Sequence, residues 1–338
     1  MRVVQVLGGA EDGGLEKHTI ELSRSLQAKD IDVTVIAHEK FKNDFKDVKF
    51  IALDLTKSRN NPIILYRLYK ILKTQNYDII HTQANKATDM VVKLKPFLKS
   101  KIVSTLHNYK KNTKSFDKTD LVITVSSKIG EVLITKKKTT IYNGIKASKV
   151  DSIDLHEKYN IPKDKFIICS VGRFVKVKKF NNLLKSIKDL DIYLVIIGDG
   201  YEKENLLNLS KELSIENKIT FTGMLDSDSL LKVVKSSKLF VMTSDREGFP
   251  YTFVESMFCK TPFLSTPVSD IETFITAKYI VPFNDVRALS EKIGYIKDNY
   301  ETVVDDFQKV FDKSENEFSI EHMVNRTIEM YKMVLNEI

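Results

Sequence analysis

The sequence predicts two doubly wound α/β domains facing each other across a cleft. Three observations carry this expectation. Short continuous runs of Val, Ile and Leu alternate with segments of helical periodicity along nearly the whole chain. The alternation halts in a polar stretch from Gly144 to Lys165, which contains Pro162, and then begins again. A length of 338 residues, at about 150 per domain, calls for two globular units.

Taken in order, the strand-like runs of the first half are Val3–Leu7, Val33–Ala37, Phe50–Leu53, Ile79–Thr82, Ile102–Leu106, Leu121–Val125 and Thr139–Tyr142. Unbroken apolar runs suit strands of a parallel sheet covered on both faces. Between them, Glu16–Leu26 and Pro62–Leu72 carry apolar residues at helical spacing, with Pro62 suited to a first turn. After the polar stretch the strand-like runs are Phe166–Val171, Tyr193–Ile197, Ile219–Phe221, Leu239–Thr243, Pro262–Leu264 and Ile280–Phe283. Helical patterns lie near Asn182–Lys188, Glu202–Leu213, Asp228–Val234, Tyr251–Met257 and Val286–Lys297, and a last one, Ile320 to Val334, is long enough to reach back to the first domain. The expected domains are 1–147, completed by a helix of about 320–338, and 148–319. Sheets of this kind bind ligands at the carboxyl ends of their strands.

Composition narrows the class. With 42% apolar residues, 29% charged, 12 Gly and 7 Pro, the chain is neither disordered nor fibrous. Cys169 and Cys259 form neither a metal-spaced cluster nor a secretory framework, so a reducing cytosol is the expectation. Met1 leads into Arg-Val-Val-Gln-Val-Leu with no apolar targeting segment, and the longest apolar run, Ile192 to Ile197, is far short of a membrane span. The expected location is cytoplasmic. Charge is lopsided: residues 1–150 hold 28 Lys+Arg against 15 Asp+Glu, a net +13, whereas the rest is −5. A basic first domain suggests an anionic partner such as a phospholipid surface, a phosphorylated acceptor or nucleic acid, or else lysines that keep the protein soluble.

The most informative stretch is Glu247-Gly248-Phe249-Pro250-Tyr251-Thr252-Phe253-Val254-Glu255, which follows one strand-like run and opens a helical pattern. Phe249 to Phe253 would expose backbone N–H groups at a helix N-terminus, a ready phosphate site, although Pro250 donates nothing. Glu247 and Glu255 are poor phosphate ligands but good acceptors for sugar and ribose hydroxyls; a helix-start Glu and a surface Glu are the ordinary alternative. A second constellation, Gly172-Arg173-Phe174-Val175-Lys176-Val177-Lys178-Lys179, leaves the first strand of the second domain. Arg and Lys there would neutralise a diphosphate, unless they form a solvated face. Gly8-Gly9-Ala10-Glu11-Asp12-Gly13-Gly14 follows the first strand but is neither a dinucleotide fingerprint nor a P-loop, since Leu15 stands where Lys is required. Of the six histidines, His81 and His107 fall at carboxyl ends of expected strands, and neither has a metal-ligand partner at i+4. Asp189-Leu-Asp191 and Asp226-Ser-Asp228 match a metal-binding D-x-D pattern, but their positions before a strand and a helix favour capping.

Together these segments make the chain resemble the family 4 retaining glycosyltransferases of the GT-B fold over nearly its whole length. Glu247 to Glu255 looks like the family's E-x7-E motif. Gly172-Arg173 with Lys178, Gly198-Asp199-Gly200, Phe221-Thr222-Gly223, Asn143-Gly144-Ile145 and Gly13-Gly14 with Glu16 and His18 match in order and spacing. The resemblance implies an acceptor-binding first domain and a donor-binding second. It implies that Arg173 and Lys178 hold the donor diphosphate with Gly13 and Gly14 near it, that Glu255 binds the ribose and Glu247 the transferred sugar, and that His107 lies nearest the reacting carbon. Gly223, Met224 and Leu225 would meet the base through backbone groups, and Gly248, Phe249, Tyr251 and Thr252 would line the donor site. Two departures stand out: Lys179 replaces a glycine usual after the lysine, which puts the loop's shape in doubt, and Ser256 replaces an alanine.

The expected reaction moves a hexose or N-acetylhexosamine from a nucleotide-diphosphate sugar, UDP favoured, to a hydroxyl of a glycan or lipid-linked acceptor. No metal and no cofactor are expected, nor a nucleic-acid partner. Lys86 to Lys101, with Met90, Val91, Val92, Leu94, Phe97 and Leu98 among lysines, would on a helix make a basic amphipathic surface for anionic lipid, or a helix packed on its own sheet. A nucleotide-sugar 2-epimerase of the same architecture is distinguished by product analysis. A non-enzymatic basic binding module would bind lipid or polyanion without turning over any nucleotide sugar.

Overall fold

The structure, a computed structural model, describes residues 1–11, 13–146 and 150–336. Asp12, the expected 147–148 junction and the last two residues of the expected 320–338 helix lie outside them. The chain divides into two compact units, Met1–Lys146 with Glu317–Ile338, and Ala147–Asn316.

The first unit is a seven-stranded, all-parallel sheet: β1 (Arg2–Leu7), β2 (Asp32–Ala37), β3 (Lys49–Ala52), β4 (Ile79–Gln83), β5 (Lys101–Leu106), β6 (Leu121–Thr124) and β7 (Lys138–Thr140), in the order β3-β2-β1-β4-β5-β6-β7. Every residue of β4 is buried, the polar His81, Thr82 and Gln83 as well as Ile79 and Ile80. The helices α1 (Gly14–Gln27), α2 (Pro62–Thr74) and α3 (Ala84–Leu94) cross between strands. α2 starts where Asn61 accepts the N–H groups of Ile63 and Ile64 at 3.0 and 3.2 Å, with Pro62 in its first turn. The helix Ile320–Asn336 belongs to this unit: Met323, Val324, Tyr331 and Val334 pack with Val3, Leu7 and Leu22. It enters through a parallel bridge between Ile145 and Ser319.

The second unit carries five parallel strands, β8 (Phe166–Val171), β9 (Ile192–Ile197), β10 (Ile219–Phe221), β11 (Leu239–Met242) and β12 (Phe263–Ser265), in the order β10-β9-β8-β11-β12. In both sheets the order reverses beside the first strand of the unit, between β1 and β4 and between β8 and β11. Open α/β sheets bind ligands outside the carboxyl ends of the strands at such a point.

Several expectations are corrected. Ile280–Phe283 is not a strand: it makes one bridge, Ile280 to Ser265, because Pro282 has no N–H to continue a ladder. Residues 86–101 are not one amphipathic surface. α3 ends at Leu94, a short turn Lys95–Phe97 follows, and β5 begins at Lys101. Met90 and Val91 are fully buried with Leu94 under β1 and β4, so the apolar face expected to meet lipid is committed to the unit's own core; Phe97 alone of these is exposed. Among the described residues, no helix is long and apolar enough to cross a membrane.

Candidate functional site

In the second unit the switch point gathers the two constellations. β8 runs into Gly172 and Arg173, and β11, its neighbour, runs through Thr243 and Asp245 to Glu247. The two loops are stitched together. The Thr243 hydroxyl donates to the carbonyls of Lys178 and Lys179 at 2.9 and 3.1 Å, and the Asp245 N–H donates to Val177 O at 2.8 Å. Above that seam Lys178 Nζ donates to Glu247 Oε1 at 2.7 Å, with side chains only 20% and 13% exposed. Charge-assisted hydrogen bonds of this length are strong, and partial burial limits screening. Arg173 is exposed on the same loop.

Lys179 shows how the chain manages its departure from glycine. It takes the left-handed conformation, φ 54° and ψ 34°, and its ammonium pairs with Asp245 at 3.1 Å. The turn that glycine would make is therefore made by a lysine, at about 1–2 kcal/mol of backbone strain.

Glu255 is buried at 6% exposure in the helix Tyr251–Phe258. That helix opens after Pro250 with no side-chain cap among the described residues. The Phe253 N–H donates to Pro250 O at 3.1 Å, so the expected row of amides from Phe249 to Phe253 is one shorter than its sequence suggests. The buried hydroxyls of Thr252 and Ser244 have no hydrogen-bond partner among the described residues, and Gly248 is anchored through its carbonyl by Ser269. Gly223, at φ 73°, follows β10; its carbonyl accepts from Gly198 N at 2.9 Å and from Thr222 Oγ1 at 2.9 Å, filling both lone pairs. Met224 is 70% exposed, while Leu225 packs on the core.

In the first unit, α1 begins at Gly14 after Gly13, and a side chain at Gly9 or Gly13 would come within 3.4 Å of the carboxylate of buried Glu16. The glycine loop thus folds around that carboxylate. His107, just past β5, donates Nε2–H to Gln83 Oε1 at 2.7 Å and meets the His18 ring edge-on at 4.6 Å. His18 bonds Asn143 at 3.0 Å through Nδ1, and its Nε2 is buried without a hydrogen-bond partner among the described residues. His81 is not at a strand end open to ligand but lies fully buried within β4, bonded to Tyr331 and Thr105 at 2.6 Å each. Gln5 and Gln83, which sequence reasoning passed over, complete this cluster; polar residues inside otherwise apolar strand runs were the available signal.

Burial lowers all three imidazoles: His18 to about 4, with the Asn143 bond opposing, and His81 to about 3; His107 lies well below the usual range through burial first and then His18 and His81. Unfolded histidines take up protons near pH 6.5 while these stay neutral, so the unfolded state binds more protons as pH falls. Stability is therefore expected to drop from about pH 6.5 towards 4, by roughly 2 kcal/mol per buried histidine at pH 5. Urea unfolding at pH 7.5 and 5.0 checks it; equal midpoints would contradict neutral burial. The thiols of Cys169 and Cys259 are pushed up to about 12, mainly by burial, which disqualifies both as nucleophiles. Of the D-x-D carboxylates, Asp226 caps the helix Ser227–Ser236 as expected and Asp228 pairs with Lys232 at 2.6 Å, whereas Asp191 is not the expected cap but pairs with Lys165 at 2.6 Å. Among the described residues no three acidic, histidine or cysteine side chains group to hold a metal.

Residues 151–309 match the family Glycosyl transferases group 1, and residues 12–149 match Glycosyltransferase Family 4. The lipopolysaccharide core biosynthesis glycosyltransferase LpsE of Rhizobium meliloti is 24% identical over 269 residues, covering 76% of each chain. The O-antigen biosynthesis glycosyltransferase WclY of Escherichia coli is 25% identical over 292 residues, 78% of this chain and 81% of that one. Anabaena Alr3699/HepE, solved in complex with UDP and glucose, superposes with a TM-score of 0.85 over 98% of this chain and all of its own, at 14% identity. With both units and the order of motifs in agreement, the chain belongs to the group 1 glycosyltransferases and has the GT-B fold.

Proposed function

We propose that this glycosyltransferase is a retaining, metal-independent enzyme that moves a hexose or N-acetylhexosamine from a UDP-sugar to a hydroxyl of a glycan or lipid-linked acceptor in bacterial surface polysaccharide assembly. The observation that carries the reading is the Lys178–Glu247 pair at the β8–β11 switch point, beside Arg173. In the free chain each partner satisfies the other. A diphosphate entering there takes over Lys178 and Arg173 and releases Glu247 to accept hydroxyls of the sugar. Glu255 holds the ribose, and the amides after Pro250 approach phosphate.

Breaking the anomeric C–O bond develops positive charge on the sugar and negative charge on the leaving diphosphate. Fixed cations aimed at that oxygen stabilise the transition state more than the ground state. The acceptor hydroxyl attacks on the face the diphosphate leaves, passing its proton to the departing phosphate oxygen, so configuration is kept without a protein nucleophile. The names of LpsE and WclY support surface polysaccharide as the acceptor class, and HepE with UDP supports the base. Any contact with an anionic membrane rests on the charge of residues 1–150 alone, since the apolar side chains of 86–101 lie largely in the core.

The test is turnover of UDP-, GDP- and ADP-hexoses and N-acetylhexosamines with metal chelated, the product read by NMR. One UDP-sugar giving a new α-linked product or slow hydrolysis with retention is expected. An inverted product, or release of a 2-epimer, would contradict the reading.

A further inference from the structure

β1 and β4 are covered on both faces, yet they carry amide and imidazole side chains: Gln5, His81 and Gln83 are at most 1% exposed. A buried amide without its hydrogen bonds costs about 1–3 kcal/mol, so such groups persist only as a satisfied network. Here the network has a direction. Gln5 Nε2 donates to the Tyr331 hydroxyl at 3.1 Å and faces His81 Nδ1 at 3.3 Å, which turns its carbonyl the other way. That carbonyl accepts from Gln83 Nε2 at 2.8 Å, leaving Gln83 Oε1 to face His107 Nε2 at 2.7 Å. A ring nitrogen opposite a carbonyl oxygen must carry the hydrogen, and a neutral imidazole has only one.

We propose that Tyr331, Gln5 and Gln83 are positioning residues for His107: their buried chain holds it as the Nε2–H tautomer and so offers Nδ1 as an acceptor for a hydroxyl of the donor sugar. The use made of Nδ1 rests on the function proposed above; the tautomer does not. The titratable groups facing His107 are His18 on α1 and His81 on β4, both held neutral by burial, and His107 is held so as well. A neutral ring with a lone pair at Nδ1 suits a hydroxyl beside a carbon that develops positive charge, whereas an imidazolium would repel that charge. Reversing the tautomer would require Gln83 and Gln5 to turn over together, which is how a tyrosine on the C-terminal helix bears on a residue at the end of β5.

Nitrogen-15 spectra of the free wild-type protein read the tautomer: His107 is expected with a protonated Nε2 and a bare Nδ1 at pH 7. Gln83→Leu removes the acceptor and is expected to give mixed tautomers and a fall in kcat of about tenfold, with the Kd of UDP, which lacks the sugar, unchanged. Tyr331→Phe, which deletes only the far hydroxyl, shifts the spectrum the same way with a two- to threefold fall, smaller because the amides remain. A wild-type His107 protonated at Nδ1, or a Gln83→Leu protein keeping both tautomer and kcat, would overturn the proposal. Wild-type protein with the expected spectrum but no transfer from any UDP-sugar would overturn the donor reading instead.

Discussion

Lys178→Ala is expected to lower kcat roughly 10²- to 10³-fold, the loss typical of removing one fixed group that stabilises a developing oxyanion. A second effect should accompany it. Glu247, whose side chain is 13% exposed, loses its partner at 2.7 Å and remains as a half-desolvated carboxylate. Full burial of an unpaired charge costs about 3–5 kcal/mol; solvent access here reduces that to about 1–2 kcal/mol of unfolding free energy. Arg173→Ala separates the two effects, because Arg173 is exposed: activity should fall comparably with stability nearly unchanged. Steady-state kinetics with urea unfolding of both variants decides it. Lys178→Ala with full turnover would remove the diphosphate role, and an unchanged unfolding midpoint would show that the pair contributes nothing to the fold.

Gly198→Ala should destabilise the second unit by about 3 kcal/mol or more. Gly198 sits at φ +143°, and a Cβ there would lie 2.0 Å from Gly172 O, a backbone atom that cannot swing aside. The loop that carries Arg173 hangs on this contact, since the Gly172 N–H donates to Ile197 O and the Phe174 N–H to Asp199 O at 3.0 and 2.8 Å. Gly294, inside the helix Val286–Asp298, is the internal control: its Cβ would meet only Leu190 Cδ2 at 3.7 Å. Gly294→Ala is expected to stabilise by about 0.5–1 kcal/mol through helix propensity. Thermal unfolding of the two single variants checks the contrast; a Gly198→Ala protein as stable as wild type would mean the loop is free to relax.

Most strands were legible because a strand covered on both faces is mostly apolar, and that pattern is local; the buried polar residues of β4, His81 to Gln83, are the exception. Ile280–Phe283 has the same composition but lacks the ladder, since Pro282 interrupts its donors. The helix Tyr300–Glu317 escaped the sequence reading although Val303, Phe307 and Phe311 recur at four-residue spacing and are buried. The two loops of the site could each be read alone. What no local pattern encodes is that β8 lies beside β11, which brings Lys178 to a glutamate 69 positions later. The same holds for Tyr331, which meets Gln5 from the far end of the chain. Its phenol belongs to a helix whose spacing announces only an apolar face.

In the proposed function the loops after β8 and β11 form one nucleotide-diphosphate site. A crystal structure of the protein with UDP tests it most directly. The diphosphate is expected on Lys178 and Arg173, with the Lys178–Glu247 bond broken and the ribose hydroxyls on Glu255. UDP bound elsewhere, or bound with that ion pair intact at 2.7 Å, would contradict it.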